Sequence, residues 1–418
     1  MKVFLTSYGG GHITAILPLI KVLSQRGHEC VLLTLTTAGD VAARAGVAHK
    51  RPIDFIPRDD SLIKAAGQKL AERHHTEGKG ITREESIAYL GVSFRDLAEC
   101  IGEEAAWARY AVQGLNAFTP TRFMCEVLER TNPDVVVATT SPRMEKAALR
   151  AAFRLDIPSL CMVELFGILE EPWLGRPDNG HVVAVSRTDV IRRLVAAGRQ
   201  SDDLHLVGSP MFDQLSDSSL PSQGLRWRRE QRIDDKEKLI FWAEQPEPED
   251  PKLPRKIRQH LSDVCRRNGW RLVVRLHPSS TDPREEVIPE GCLQSHADEP
   301  LAQLIHACDV GITLTSTVGW EILLSNKPLV VPRLSSYSRF VTYGDGDGAL
   351  AVDSLESIEP GLKTLVDDTP ISRELEDLRG RLPQPGGAAD RVADLIENVV
   401  FPRRYSLENL FRKRNHAS

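Results

Sequence analysis

The sequence predicts an α/β protein of two domains, each a parallel β-sheet covered by helices. Three observations carry this reading. Short apolar runs alternate with helical patterns from residue 2 onward, the rhythm of βαβ units. The rhythm starts afresh at Leu239 after a polar stretch. The chain has 418 residues, 41% hydrophobic and 27% charged, enough apolar side chain for more than one core. A length prior of ~150 residues per domain also gives two or three domains.

The elements follow in order. Lys2 to Thr6 reads as a buried strand, Gly9-Gly10-Gly11 as a turn, and Ile13 to Arg26 as a helix. Ile16, Leu19, Ile20 and Leu23 give that helix one apolar face, and Gly27 stands where helices commonly end. Cys30 to Leu35 is the next strand and Ala38 to Ala45 the next helix. From about residue 53 to 118 the alternation breaks into polar, helical sequence, predicting a helical insertion. Strands return at Pro133–Ala138, Ser159–Val163, His181–Val185 and Leu204–Val207, with a helix over Glu145–Phe153. These make residues 1–209 a first domain. Residues 210–236, rich in Ser, Asp, Gln and Arg, read as a linker.

The second domain, 237–399, opens on Leu239–Ala243. A helix at about Arg255–Asn268, a strand at Arg271–Leu276, a helix at Pro300–Ala307 and a strand at Val310–Leu314 follow. Thr317–Leu324 is a helix and Pro328–Val331 a strand. Residues 400–418 read as a C-terminal helix or tail. Two such domains are expected to face each other across a cleft, with ligands beyond the carboxyl ends of the strands.

Composition excludes several functions. Lys and Arg total 53 against 58 Asp and Glu, which argues against a nucleic-acid binder. Seven cysteines with no C-x-x-C pair argue against a disulfide scaffold or a zinc site and for a cytoplasmic setting. The opening residues do not read as a signal peptide, and no apolar run reaches the ~18 residues of a membrane span. The basic and aromatic residues of the last segment, among them Arg403, Arg404 and Phe411, are compatible with peripheral membrane contact.

Gly10 and Gly11, followed by His12, join the first strand to the first helix. Glycines there admit close backbone approach of a ligand, and the helix N-terminus favours negative charge. The pattern is neither G-x-G-x-x-G nor a Walker loop. Two readings stand side by side: a cleft histidine suited to general-base work, or a tight turn whose histidine caps the helix. His277-Pro278 ends a second-domain strand, where an imidazole can stabilise a departing phosphate. Thr315, Ser316 and Thr317 precede a helix with Glu321 in its first turn. Hydroxyls and N–H groups there suit an anion, and the carboxylate suits a ribose diol. Gln245 after the first strand of the second domain, Gly208-Ser209 at the end of the first domain, and Tyr337 and Arg339 after a later strand are further candidates. Thr139, Thr140, Ser141 and Glu164 follow first-domain strands. His74-His75 reads as a solvated face, and Asp345-Gly-Asp347-Gly as a surface turn.

The segment GGHITAILPLIKVLSQRGHECVLLT resembles the opening of GT-B glycosyltransferases. His277-Pro278, with DVGITLTSTVGWEILLSNKPLVVP, is similar to the His-Pro and Ser-Thr motifs of bacterial capsule Kdo, sialyl and CDP-glycerol transferases. Nucleotide-sugar 2-epimerases have comparable arrangements. The resemblance implies two Rossmann-like domains around a nucleotide-sugar cleft, with no metal and no separate cofactor. It implies His12 as the base that deprotonates an acceptor hydroxyl. His277, Pro278, Ser316 and Thr317 would lie at the donor phosphate and Glu321 at the ribose, with Gln245, Thr315, Gly208 and Ser209 also on the donor. Gly10, Gly11, Glu164, Tyr337 and Arg339 would line the cleft. The donor would be UDP- or CMP-linked, and the acceptor a glycan, a lipid-linked compound or a small molecule. The rival expectations are a 2-epimerase or hydrolase on the same fold, and a non-catalytic nucleotide-sugar sensor.

Overall fold

The structure, a computed structural model, describes residues 1–57, 60–76, 80–163, 166–277, 288–296, 298–341, 343–344, 346–367 and 369–401. The chain divides into two compact units, Met1–Asp213 with the segment from Gly387 onward, and Gln214–Gly386.

The first unit is built on six strands: β1 (Lys2–Ser7), β2 (Glu29–Thr34), β3 (Val135–Ala138), β4 (Ser159–Met162), β5 (Val182–Val185) and β6 (Leu204–Leu206). Their order is β2-β1-β3-β4-β5-β6 and every pairing is parallel. β3, β4 and β5 are buried along their whole length, as expected of strands covered on both faces. Thr6 lies opposite both Leu33 and Ala138, so the first three strands finish level at one edge.

Helices α1 (His12–Gln25) and α2 (Ala38–Arg44) follow β1 and β2. The expected insertion is present as α3 (Ser61–His74), α4 (Arg83–Ile101) and α5 (Glu103–Gln113), with 3-10 turns at Pro52–Phe55 and Gly114–Ala117. Glycines set the approach of α3 to α4. A Cβ at Gly67 would strike the Ile87 carbonyl, and one at Gly91 the Ile63 carbonyl. The insertion owns part of a core, with Tyr89, Phe94, Phe118 and Phe123 buried together. Each such ring contributes about 1.5–3 kcal/mol on burial. Helices α6 (Thr121–Thr131), α7 (Met144–Arg154), α8 (Glu171–Leu174) and α9 (Thr188–Ala196) complete the run to β6.

The second unit has β7 (Leu239–Ala243), β8 (Arg271–Arg275), β9 (Leu293–Ser295), β10 (Val310–Ile312), β11 (Leu329–Pro332) and β12 (Leu350–Val352). The order β12-β11-β10-β7-β8-β9 is again wholly parallel. Its helices are α10 (Leu220–Glu230), α11 (Leu253–Asn268), α12 (Leu301–Ala307), α13 (Val318–Leu324), α14 (Ile358–Val366) and α15 (Pro370–Arg379).

The boundaries differ from the expected ones in two places. Residues 210–236 are not a bare linker. Pro210–Ser216 is a 3-10 turn and α10 packs within the second unit. Arg228 donates to the Ala307 carbonyl at 2.9 Å and pairs with Asp309 at 3.0 Å, and Trp227 is buried. The polar composition belongs to the solvent face of that helix. The second unit also ends before residue 399. Helix α16 (Ala388–Leu395) and a π-helical turn at Ile396–Val400 belong to the first unit. The Asp213 carboxylate accepts from the N–H groups of Ala388 and Ala389 at 2.8 Å each, satisfying orphan donors at the helix start. Arg391 donates to the Val207 carbonyl at 2.8 Å, and Val392, Ile396 and Val400 enter the core beneath the first sheet. Of the expected tail at 400–418, residues 402–418 lie outside the described residues. Among the described residues, no helix is long and apolar enough to cross a membrane.

Candidate active site

In a parallel sheet, ligands gather where strand order reverses, beyond the carboxyl ends. In the first unit this point lies between β1 and β3, and in the second between β7 and β10. Several of the expected residues lie after the strands that flank these points.

In the first unit, β1 runs into Tyr8 and the glycine turn, and His12 opens α1. Gly9 makes the close approach: a Cβ there would strike the hydroxyls of Thr36 and Thr37 after β2. Gly10 has a positive φ of 68°, the conformation that favours glycine. Cβ atoms at Gly10 or Gly11 would meet no protein atom, so the turn borders open space. His12 Nδ1 lies 3.0 Å from Thr139 Oγ1, and Thr139 donates at 2.6 Å to Glu145 Oε1. The hydroxyl has one hydrogen, and the carboxylate takes it. The hydroxyl therefore accepts from His12 Nδ1–H, which makes Nε2 the basic nitrogen. Glu145 Oε2 stands 3.8 Å from the imidazole.

Glu145 is fully buried. It also accepts from the backbone N–H groups of Tyr8 and Ser141. Burial pushes its pKa up; the His12 charge, the Thr139 hydroxyl and the two N–H groups oppose that rise. Thr139, Thr140 and Ser141 are buried. Glu145, in the first turn of α7, is not among the site residues expected from the sequence. Its signal was an acid in the first turn of the helix after β3, next to a run of three hydroxyls. Glu164 lies outside the described residues.

In the second unit, Gln245 follows β7 and Thr315 follows β10. The Gln245 amide donates to Thr315 Oγ1, and its carbonyl accepts from Thr315 N–H at 3.1 Å. Ser316 Oγ accepts from Val318 N–H at 3.3 Å, and its carbonyl accepts from Tyr343 OH at 2.7 Å. Gly319 is required here, because a Cβ would strike the Tyr343 ring. Thr317 is exposed at the start of α13, its side chain making no cap. Glu321 is only 8% exposed. Burial raises its pKa to about 7, with the Arg275 charge opposing the rise. No described residue hydrogen-bonds its carboxyl. Arg275, the last residue of β8, is held by Ser295 Oγ at 3.2 Å and the Glu299 carbonyl at 2.9 Å. His277 follows two residues later; it is exposed, yet desolvation by its surroundings lowers its pKa. Pro278 lies outside the described residues.

Four candidates stand apart from these clusters. Gly208 and Ser209 belong to the first unit, after β6, where Gly208 has φ 81° and faces Arg391. Tyr337 and Arg339 are exposed beside a short 3-10 turn, with the Arg339 guanidinium 4.7 Å over the Phe340 ring. Among the described residues no group of three or more His, Cys, Asp or Glu is placed to hold a metal ion.

No protein-family model and no curated protein matches the chain. Solved structures do resemble it. UDP-GlcNAc 2-epimerase from Neisseria meningitidis, solved bound to UDP-GlcNAc, is 14% identical with a TM-score of 0.60, covering 95% of this chain and all of its own. The glycotransferase of kitacinnamycin is 16% identical with a TM-score of 0.57, covering 95% and 98%. MurG of Acinetobacter baumannii is 13% identical with a TM-score of 0.58, covering 95% and 99%. Two six-stranded parallel sheets and this likeness together give the chain two Rossmann-like units of the GT-B fold, which glycosyltransferases and UDP-GlcNAc 2-epimerases share.

Proposed function

We propose that the chain is a glycosyltransferase that moves a sugar from a UDP- or CMP-activated donor to an acceptor hydroxyl without a metal. The observation that carries this reading is the His12–Thr139–Glu145 relay at the switch point of the first sheet. One imidazole, its tautomer set by a buried carboxylate acting through a hydroxyl, suits the removal of one proton from an alcohol. His12 Nε2 takes the acceptor proton as the alcohol oxygen bonds to the anomeric carbon. The bond from that carbon to the donor phosphate breaks, and its electron pair leaves with the nucleotide. His277, Ser316 and Thr317 stabilise the departing phosphate, Glu321 accepts the ribose hydroxyls, and Gln245 with Thr315 borders the nucleotide. The setting is the cytoplasm.

The second reading, a 2-epimerase, is favoured by the likeness to an epimerase solved with UDP-GlcNAc. Removing and returning a proton at a sugar carbon calls for carboxylates aimed at that sugar. Glu145, the carboxylate beside His12, is committed to Thr139, Tyr8 and Ser141, so this reading ranks second. His12→Ala tests the proposal. It is expected to keep nucleotide affinity and to lower transfer by about 10²–10⁴. Full transfer activity in the variant would remove His12 from the mechanism.

A further inference from the structure

The first unit holds a cavity of about 420 Å³ beside the glycine turn, within the ~300–1,000 Å³ range of small-molecule sites. Tyr8, Gly9 and Gly10 are in its lining. The helical insertion supplies Tyr89, Leu90 and Leu115, and the two tyrosines offer aromatic side chains against which an apolar ring can pack. Thr36, also in the lining, holds a positive φ of 48°, which costs a β-branched residue about 1–3 kcal/mol. That conformation places its hydroxyl 3.2 Å from Gly9 N–H.

Charge in the cavity has one sign. Arg143, at the start of α7, is the charged side chain in the lining, and no carboxylate lines it. Its guanidinium donates to Tyr8 OH and lies 4.9 Å over the Tyr8 ring. Among the described residues no acid forms an ion pair with it, although the charge of Glu145, buried behind Tyr8, raises its pKa. His74, also in the lining, has its pKa lowered by desolvation and by the Arg143 and Arg73 charges, so its neutral form is favoured and Arg143 supplies the charge. The second observation is Tyr89. It is only 5% exposed, and its hydroxyl has no hydrogen-bond partner. A buried hydroxyl left unpaired costs about 1–3 kcal/mol, a cost removed when a ligand oxygen accepts from it.

We propose that this cavity binds the acceptor, a small molecule with an apolar ring and an anionic head, its carboxylate or phosphate held by Arg143 and the Tyr89 hydroxyl. The identification as acceptor rests on the glycosyltransferase reading; the anion site does not. Tyr8 links the two centres, since its ring meets His12 edge-on with centroids 6.2 Å apart and planes at 73°. Gly10, two residues before the base, lies in the same lining.

The test titrates the full chain, without donor, with 4-hydroxybenzoate, 4-hydroxyphenyl phosphate and the neutral 4-hydroxybenzyl alcohol. An anionic probe is expected to bind about 10- to 100-fold tighter than the neutral one, the effect of charge-assisted bonds from a guanidinium. The tighter of the two anions identifies the head group. Arg143→Leu is expected to abolish the preference, Arg143→Lys to retain part of it, and Tyr89→Phe to weaken the anion about 3- to 10-fold. Circular dichroism checks each fold; should Arg143→Leu not fold, the other two variants decide. Equal affinity for all three probes, no binding of any, or an intact preference in the folded variants would overturn the proposal. Anion binding with no nucleotide binding or transfer would instead defeat the glycosyltransferase reading and leave the anion site standing.

Discussion

Glu321→Gln separates what position 321 does for the nucleotide from what it does for the fold. The carboxyl is buried, has no hydrogen-bond partner among the described residues, and its pKa rises from 4.5 to about 7. Its folded pKa lies above the unfolded value, so the folded state holds the proton more tightly. The associated stability is fully present below about pH 4.5 and is lost as pH rises to about 7. At ~1.4 kcal/mol per tenfold change in proton affinity, the loss from 4.5 to about 7 approaches about 3 kcal/mol. A neutral amide avoids that loss. Glu321→Gln is therefore expected to melt up to about 6–12 °C higher than wild type at pH 8, and to show little difference at pH 4.5. Binding moves the other way. Ribose hydroxyls donate best to the ionised carboxylate, so wild-type affinity for UDP-GlcNAc should rise about tenfold per pH unit up to about pH 7 and then level off. The diphosphate of that donor does not titrate in this window, and His277, with its pKa lowered from 6.5, opposes the trend only towards the acid end. The variant should bind about 10- to 100-fold more weakly than wild type at pH 8, without the pH dependence. Scanning calorimetry and isothermal titration at pH 5.5–8.5 measure both effects. Unchanged affinity in the variant, or the wild-type pH profile retained in it, would refute the ribose role.

Two further outcomes follow from the same geometry. Glu145→Gln should destabilise the first unit by about 1–3 kcal/mol in urea unfolding, because the amide cannot accept from every donor now facing the carboxylate. It should also lower transfer by about 10²-fold or more, and wild-type turnover in a folded variant would contradict the relay. His277→Ala should fold normally and slow nucleotide release from the donor more than it weakens donor binding, because phosphate charge grows towards the transition state; an unaltered kcat would reduce His277 to a strand terminator.

The strand rhythm was legible because each long strand is buried on both faces and therefore reads as a continuous apolar run. β3 (Val135–Ala138) and β7 (Leu239–Ala243) are the plainest cases. β9 (Leu293–Ser295) and β12 (Leu350–Val352) were not read; three residues at a sheet edge carry too little pattern. The role of 210–236 was hidden because α10 buries few residues, Leu220, Gly224, Trp227 and Arg228 among them. The return of α16 to the first unit depends on Asp213, a contact between residues 175 apart. At the candidate site, Gln245, Thr315 and Glu321 were expected from their positions after strands or in the helix turn that follows one, a local property. Glu145, Tyr89 and Arg143 were not, because what marks them is the company they keep: a hydroxyl from β3, an unpaired phenol from the insertion and a ring from the glycine turn.

Transfer of a sugar and its epimerisation in place differ at C2 of the donor. The most direct measurement incubates the protein with UDP-GlcNAc or UDP-glucose in D₂O without acceptor, and reads the sugar by mass spectrometry. A transferase with a single base for an acceptor alcohol leaves the hydrogen at C2 untouched, so the recovered donor and any sugar released by water carry no deuterium there. Deuterium at C2 of the recovered donor, accompanied by its 2-epimer, would make the chain an epimerase and overturn the transferase reading.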